Sequence, residues 1–199
     1  DDPDRGFSYR RDGPLDMRMG EGGRSALDVV NAASYEDLLR IFRDYGEERR
    51  AARIARTICA QRERKPILRT GELADLIRSV TPPDQPQKTL SRIFQALRIE
   101  VNAELEHLRE ALQQAVDHLR AGGRIGVISY HSLEDRTVKM AFSEWARGCI
   151  CPPQFPVCRC GRRATLKFIV GKRGIKPDAG ELARNPRARS ALLRILEKV

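Results

Sequence analysis

Apolar residues recur at helical spacing through most of the chain between Ser34 and Arg120. Side chains three and four positions apart share one face of a helix, so this spacing predicts amphipathic helices. Ser34 and Thr70 are suited to cap two of them, and Gly46 is suited to end the first. The three predicted apolar faces are Leu38, Leu39, Ile41 and Phe42; Ala51, Ile54, Ala55, Ile58 and Cys59; and Leu73, Leu76, Ile77 and Val80.

A fourth helical pattern is much longer and runs from Thr89 to Arg120. We expect one long helix there, either straight or kinked. Two glycines, Gly122 and Gly123, end it, since glycine favours the turn that closes a helix.

The pattern changes to that of a strand after these glycines. Val127 and Ile128 are adjacent and β-branched, which predicts a strand covered on both faces, as in a parallel α/β sheet. Ser132 is expected to cap the next helix, together with Asp135. Alternating apolar residues predict two more strands near Leu166–Val170 and Ala191–Ile195, separated by a long basic loop over 171–189.

Composition indicates a soluble globular protein. The chain has 199 residues, of which 41% are hydrophobic. No apolar run approaches the ~20 residues that span a bilayer, and the charged start does not resemble a signal peptide. We therefore expect a cytoplasmic protein without a membrane partner, whose five cysteines are reduced.

The net charge of +10 lies entirely in the last part of the chain. Positions 1–146 are neutral, whereas positions 147–199 hold 13 basic and three acidic residues. A basic segment on a neutral body indicates a polyanionic partner, most simply a nucleic acid. An ordinary solvated surface remains the alternative.

Four groups of residues are candidates for chemistry, and the first two could act at a reaction centre. Asp12 and Asp16 flank a Gly-Pro turn and could accept hydrogen bonds from an amine or a ribose, or could simply form a surface turn. Tyr130 and His131 follow the strand, at the sheet edge where open α/β folds bind ligands. His131 could act as a general base or contact RNA, and Tyr130 could stack on a nucleobase. The neighbouring Ser132, Glu134 and Asp135 are better explained as helix-capping residues.

The other two groups are a cysteine segment and a basic loop. Four thiols in two Cys-x-Cys pairs could form a tetrahedral zinc site, although this spacing within each pair is tighter than usual. Reduced surface thiols are the alternative. These residues are Cys149, Cys151, Cys158 and Cys160, and the loop between the pairs contains Pro152, Pro153 and Pro156.

In the basic loop, guanidinium groups suit bidentate contacts with phosphate, with a solvated loop as the alternative. The candidates for binding RNA are Arg184, Asn185, Arg187 and Arg189, with Arg18 in the first part of the chain.

Several segments together resemble the RsmH/MraW methyltransferases. They are RGFSYRRDGPLDMRM at 5–19, YGEE at 45–48, FQALRI at 94–99, VNAEL at 101–105, SYHSLEDR at 129–136 and NPRARS at 185–190. The segments occur in the family's order and cover nearly the whole chain. The Cys- and Pro-rich segment is similar to that of some bacterial members only.

The resemblance implies an α/β fold, the C-terminal part of a class I (Rossmann-like) S-adenosylmethionine-dependent methyltransferase with an inserted all-helical domain. We expect an active-site loop at 1–21, the inserted helical domain at 22–88, and the second half of the methyltransferase domain at 89–199. That half would contain a Cys-rich insert at 149–160 and the basic loop at 171–189.

The resemblance also implies the reaction, a methyl transfer from S-adenosylmethionine to N4 of a cytidine in the ribosomal P site of 16S-type RNA in the small subunit. We take Asp12, Asp16, Tyr130 and His131 as hypothetical catalytic residues that hold the cytosine. A homodimer is left open, and zinc is a secondary cofactor candidate.

One departure from the family concerns the cofactor. Family members carry an upstream segment with the first strand and a glycine-rich loop that cradles S-adenosylmethionine. The sequence begins after that segment, so we expect no cofactor-binding residues within it. The alternative hypothesis is a non-catalytic, truncated chain that binds RNA.

Overall fold

Helices form nearly all the regular structure in the first half of the chain. The computed structural model describes residues 3–152, 154 and 157–199, and the chain divides into two units, Asp1–Glu104 and Leu105–Val199. The first unit opens with a short 3-10 helix, Pro3–Arg5. Its α-helices are α1 (Ala26–Ala32), α2 (Tyr35–Asp44), α3 (Ala51–Arg62), α4 (Thr70–Ser79) and α5 (Pro86–Asn102).

The apolar faces of these helices meet in a single core. Leu38, Ile41 and Phe42 of α2 are buried there with Ile93 and Leu97 of α5. The three helices predicted from periodicity are confirmed as α2, α3 and α4. The capping prediction is confirmed for Ser34, which accepts a hydrogen bond from the backbone N–H of Asp37.

The predicted cap of α4 is wrong by one residue. Arg69 occupies the N-cap position, and Thr70 is the first helical residue. The Thr70 hydroxyl instead accepts a hydrogen bond from the Gly13 N–H at 2.9 Å and donates one to the Arg11 carbonyl at 3.1 Å. Thr70 therefore joins α4 to the loop at 11–13.

The predicted long helix is divided in two. Helix α5 ends at Asn102, and α6 begins at Glu104 and runs to His118. Between them Ala103 adopts the left-handed conformation, with φ of 46°. Since a left-handed residue cannot continue a right-handed helix, the chain changes direction there.

The N-terminal loop and α5 belong to the same compact unit as the other helices. Leu15 and Met17 are buried in the same core as Leu90 and Phe94 of α5. The predicted boundaries at 21/22 and 88/89 concern how a methyltransferase domain and an inserted domain divide the chain, and they stay a prediction.

The second unit places helices against a small sheet. After most of α6 come β1 (Arg124–Ser129), α7 (Ser132–Trp145), β2 (Leu166–Phe168), α8 (Ala179–Arg184), a 3-10 helix (Pro186–Ser190) and β3 (Leu192–Lys198). The strand order is β1-β3-β2. β3 is antiparallel to both neighbours, with Gly126 opposite Ile195 and Lys167 opposite Glu197.

One face of this sheet forms the core of the second unit. Leu112 and Val116 of α6, Phe142 of α7, Leu166 of β2 and Leu196 of β3 are buried together. Ile125 and Val127 pack against this cluster, because alternate residues of a strand share one face.

Two expectations for the second unit are not met. Ile128 is 54% exposed, so β1 is not covered on both faces; its one neighbour in the described chain is the antiparallel β3, and a parallel neighbour stays a prediction. Adjacent β-branched residues were therefore a poor guide to two-sided burial. The predicted loop at 171–189 contains α8 and most of a 3-10 helix, and Asp178 caps α8 by accepting from the Glu181 N–H at 2.7 Å.

Candidate functional site

The N-terminal loop is folded back on itself. Gly6 has φ of 69°, and a side chain there would collide with the Pro14 carbonyl oxygen and approach the Asp16 nitrogen to 2.9 Å. Only glycine fits this close approach. The Arg5 guanidinium donates hydrogen bonds to the carbonyls of Arg18 and Met19, at 3.1 Å each. These contacts hold residues 5–7 beside residues 14–19.

Asp12 and Asp16 each face their own arginine. Asp12 accepts from Arg69 Nε at 2.5 Å and from the Gly71 N–H at 2.9 Å. Asp16 accepts from Arg18 Nε and Nη2 at 2.7 and 2.9 Å. The hydrogen bond from Arg69 lowers the pKa of Asp12, and that from Arg18 lowers the pKa of Asp16. Both carboxylates are ionised acceptors rather than proton donors.

A groove beside this loop combines aromatic and cationic side chains. Its volume is about 780 Å³, and its lining includes Arg5, Phe7, Tyr9, Arg10 and Arg98. The Tyr9 ring packs edge-on against Phe94, with centroids 5.5 Å apart. Single-stranded nucleic acids are bound by such combinations, since aromatic rings stack on bases and arginines meet phosphates.

Sequence reasoning did not single out these groove residues. They are scattered between positions 5 and 98, and only the fold places Arg98 of α5 beside the loop. The alternation of aromatic and arginine residues at 5–10 was the one available signal.

The strand tip in the second unit has a capping role that the sequence did not reveal. His131, rather than Ser132, is the N-cap of α7, and its Nδ1 accepts from the Glu134 N–H at 3.4 Å. The Glu134 carboxylate accepts from the backbone N–H groups of Tyr130 and His131, at 2.8 and 3.3 Å. The predicted cap, Ser132 with Asp135, is wrong by one residue.

The charge of Glu134 follows from this arrangement. Burial opposes its ionisation, but the His131 ring, whose Nε2 lies 3.0 Å from the carboxylate, and the two backbone donors outweigh it. They lower the pKa of Glu134 to about 2. The two nitrogens of the His131 ring thus face different groups of Glu134, Nδ1 its backbone N–H and Nε2 its carboxylate.

Tyr130 and Ser129 present contrasting polar groups at the same strand end. The Tyr130 side chain is exposed, at 54%, and its ring can reach a ligand. The Ser129 hydroxyl is buried and has no hydrogen-bond partner among the described residues. A buried hydroxyl left unpaired is unfavourable, so this hydroxyl is available for a group that joins the strand end.

Asp135 is not a capping residue. Its carboxylate accepts two parallel hydrogen bonds from Arg194 of β3, at 2.7 and 3.0 Å. The Arg194 side chain is almost fully buried and also donates to the Lys172 carbonyl. This ion pair, with the bond to Lys172, fixes α7 to the sheet and to the start of the basic loop.

The predicted RNA-binding residues of the tail are brought together on one exposed segment. Arg184 ends α8, Asn185 follows it, and Arg187 and Arg189 lie in the 3-10 helix. Ala188 is buried between the two arginines. Within the described part of the chain, no acidic side chain pairs with Arg184, Arg187 or Arg189, so their positive charges face solvent.

The four cysteines of the predicted metal site also converge. Their sulfur atoms all lie within 4.8 Å of one another, although the segment follows the end of α7 without helix or strand in its described residues. Pro153 and Pro156 of the loop between the two pairs lie outside the described residues.

Comparison with known proteins identifies the family. A model of the MraW methylase family matches residues 1–199. The chain belongs to the MraW methylase family. The confirmed resemblance covers the whole chain and implies a methyltransferase fold of mixed α/β structure.

Three similar proteins carry the same name. The chain is 52% identical to "Ribosomal RNA small subunit methyltransferase H" of Heliobacterium modesticaldum over all of its own length and 64% of that protein. It is 50% identical to the protein of that name from Syntrophotalea carbinolica, over 98% of the chain and 63% of the relative. It is 51% identical to the protein of that name from Caldicellulosiruptor saccharolyticus, over 100% of the chain and 65% of the relative.

Two further facts bound the functional interpretation. The chain spans 63–65% of the length of these curated relatives. No helix in the described residues is both long and apolar enough to cross a membrane.

Proposed function

We propose that the intact protein is a ribosomal RNA methyltransferase that transfers a methyl group from S-adenosylmethionine to N4 of a cytidine in the P site of the small subunit. The observation that carries this proposal is identity of about 50% with small-subunit rRNA methyltransferases along essentially the whole chain. The finer choice of atom and nucleotide follows from the family resemblance.

We further propose that the second unit is part of a Rossmann-like methyltransferase sheet and that the helices of the first unit belong to an inserted domain. β1 and β2 each run antiparallel to β3, so they run parallel to each other. The second edge of β1 has no partner among the described residues, and an edge strand of this kind can accept a further strand. The longer relatives have additional chain that could supply it.

The groove of Arg5, Phe7, Tyr9, Arg10 and Arg98 supports binding of a flexible RNA strand. Stacking of one base on an aromatic side chain contributes about 1–3 kcal/mol. Arg18, which is paired with Asp16, precedes Met19, a residue that lines this groove. We assign this surface to the RNA that flanks the target nucleotide.

The four proposed catalytic residues differ in what they offer. Tyr130 is exposed and can stack on the cytosine, whereas the His131 ring lies against the Glu134 carboxylate, which also accepts from the Tyr130 N–H. Asp12 and Asp16 are ionised acceptors suited to the hydrogens of an amine. To bind the substrate amine, each carboxylate would have to accept from it while still accepting from its arginine, Arg69 for Asp12 and Arg18 for Asp16. Of the four, Tyr130 is the side chain most open to a substrate.

The methyl donor implied by the family is S-adenosylmethionine, which supplies an electrophilic methyl group. The tight strand-to-helix connection from β1 to α7 consists of Tyr130 and His131 and has no glycine that would let a cofactor approach the backbone. This connection therefore does not fit the role of a cofactor-binding loop.

The experiment that tests the function is methylation of small subunits that lack the modification, using the intact protein and mass spectrometry of the RNA. Methylation at N4 of one P-site cytidine is the expected result. A methyl group on another atom or another RNA would refute the proposal.

The substrate role of the strand tip is tested with Tyr130→Ala in the same assay. We expect a loss of about 5- to 150-fold in rate at low RNA concentration, the value of one base stack, and retention of activity in Tyr130→Phe. Met140→Ala is the matched control, because Met140 is an exposed side chain on α7. Equal rates for Tyr130→Ala and Met140→Ala would exclude Tyr130 from the site without affecting the assigned reaction.

The alternative is a chain that binds RNA without catalysis. Calorimetry of S-adenosylmethionine with the intact protein separates the two hypotheses, because only the methyltransferase should bind the methyl donor. The same measurement with these 199 residues locates the cofactor site. No measurable binding supports a cofactor site that needs further chain, whereas micromolar affinity would place the site within this chain.

A further inference from the structure

Four cysteine side chains outside the proposed reaction centre form a compact group of sulfur atoms. This four-cysteine cluster consists of Cys149, Cys151, Cys158 and Cys160. The sulfur of Cys160 lies 3.6 Å from that of Cys158 and 3.7 Å from that of Cys149. A disulfide would bring two sulfurs to about 2 Å, so these distances belong to unbonded thiols.

The spacing of the sulfurs suits a tetrahedral metal ion. With zinc–sulfur bonds of about 2.3 Å, the edges of a ZnS₄ tetrahedron are about 3.8 Å. The two sulfur–sulfur distances above are close to this edge, and all four atoms lie within 4.8 Å of one another. The tight Cys-x-Cys spacing therefore does not prevent the four ligands from converging.

Backbone groups are arranged around the sulfurs as they are around metal-bound thiolates. The N–H groups of Cys151 and Arg159 donate to the sulfurs of Cys149 and Cys151, at 3.4 and 3.3 Å. The N–H of Ile150 donates to the sulfur of Cys160 at 3.4 Å. Such donors compensate the negative charge of thiolates and orient them.

The segment has little else to hold it together. Of its apolar side chains, Ile150 and Val157 are 46% and 69% exposed, so they contribute little to a core. Two contacts join the ends of the segment. Arg162 pairs with Glu144 at 2.6 Å, and the Thr165 N–H donates to the Trp145 carbonyl at 3.0 Å. A short segment without a core is commonly stabilised by a disulfide or a metal ion.

We propose that the four-cysteine cluster is a structural zinc site that binds one Zn²⁺ through four thiolates. The coordination is closed, with no position left for water, so the ion organises the segment rather than taking part in the reaction. Binding releases up to four thiol protons and involves no oxidation or reduction. The ion fixes the backbone between α7 and β2, including the basic residues Arg159 and Arg162.

Metal content of the purified, reduced chain tests the proposal directly. After removal of loosely bound metal, we expect one zinc per chain. Cys149→Ser and Cys160→Ser should each lose it, whereas Cys59→Ser should keep it. Cys59 is the matched control, because it is the fifth cysteine and packs against the helical core of the first unit.

Two readouts guard against variants that misfold. Replacement of zinc by Co²⁺ in the unaltered protein should give the intense visible bands and sulfur-to-metal charge transfer of a tetrahedral tetrathiolate site. Chelation should accelerate tryptic cleavage at Arg159 and Arg162 while leaving the circular dichroism of the helices nearly unchanged.

Four results would overturn the proposal, three of which concern the metal. These three are a zinc content far below one per chain in reduced protein, an octahedral cobalt spectrum, and equal zinc loss in Cys59→Ser and Cys160→Ser. Formation of disulfides within the cluster in place of zinc binding, under reducing conditions, would also overturn it.

Discussion

Glu134 shows how one side chain can define a strand tip. Its carboxylate accepts two backbone N–H groups and lies against the His131 ring. The backbone of Tyr130 is thereby held while its ring remains exposed. The capping box of α7 and the proposed base-stacking residue are thus parts of one arrangement, and changes at Glu134 should affect both.

Acid stability tests this arrangement. Glu134 has an ordinary pKa of 4.5 and a folded-state pKa of about 2, so between these values the folded protein binds fewer protons than the unfolded one. The stabilisation is present above pH 4.5 and is lost as the pH falls through about 2. Because Glu134 is partly exposed, screening limits the effect to about 1 kcal/mol.

We expect Glu134→Gln to remove this part of the pH dependence. Urea unfolding at about pH 5 and about pH 3 should show a smaller loss of stability in Glu134→Gln than in the unaltered chain. Glu110→Gln, an exposed glutamate of α6, is the control with the same change of charge. Indistinguishable pH profiles for the two variants would contradict the assigned role.

At the scale of elements, the break between α5 and α6 decides how the chain is divided. Periodicity alone predicts a continuous helix, since apolar residues recur on one face through both segments. Ala103 interrupts it in a left-handed conformation, which is unfavourable for a residue with a Cβ atom. The burial of α5 against α1, α2 and α4 in the first unit outweighs that local cost.

A glycine at this break should therefore be favourable. We expect Ala103→Gly to stabilise the chain by about 0.5–1 kcal/mol, because glycine adopts positive φ without strain. Ala115→Gly is the matched control, since Ala115 is exposed within α6 and glycine there should cost about 1 kcal/mol. Denaturant unfolding measures both, and destabilisation of similar size in both variants would refute the left-handed assignment.

At the scale of the molecule, charge is distributed unevenly. All of the net +10 resides in positions 147–199. Within that part, Arg184, Arg187 and Arg189 lie on one exposed segment, next to β3 in the sequence. The structure supports the sequence-based expectation of an RNA contact there, which stays a proposal.

Salt dependence of RNA binding tests the basic tail. We expect Arg187→Ala/Arg189→Ala to weaken binding and to reduce the slope of log affinity against log salt by about 1.4, the value for two phosphate contacts to a single strand. Arg53→Ala/Arg56→Ala removes the same charge from exposed positions of α3 and should change the slope much less. Equal changes in both double variants would indicate that only net charge matters.

The sequence by itself determined the helices α2, α3 and α4, the approximate positions of the three strands, the charged tail and the family. These features depend on local periodicity, caps and motifs, which are written in consecutive residues. Helix ends were less certain: His131 rather than Ser132 caps α7, because Glu134 reaches back to the strand tip.

Only the tertiary structure decided which side chains meet. Asp135 pairs with Arg194, 59 residues away, and Arg98 joins Tyr9 in the groove. The antiparallel pairing of β1 with β3 and the exposure of Ile128 depend on distant partners in the same way. Convergence of the four cysteine sulfurs likewise required a fold of the loop that spacing did not predict. Contacts of long sequence separation are set by packing of the whole chain, and a local pattern does not encode them.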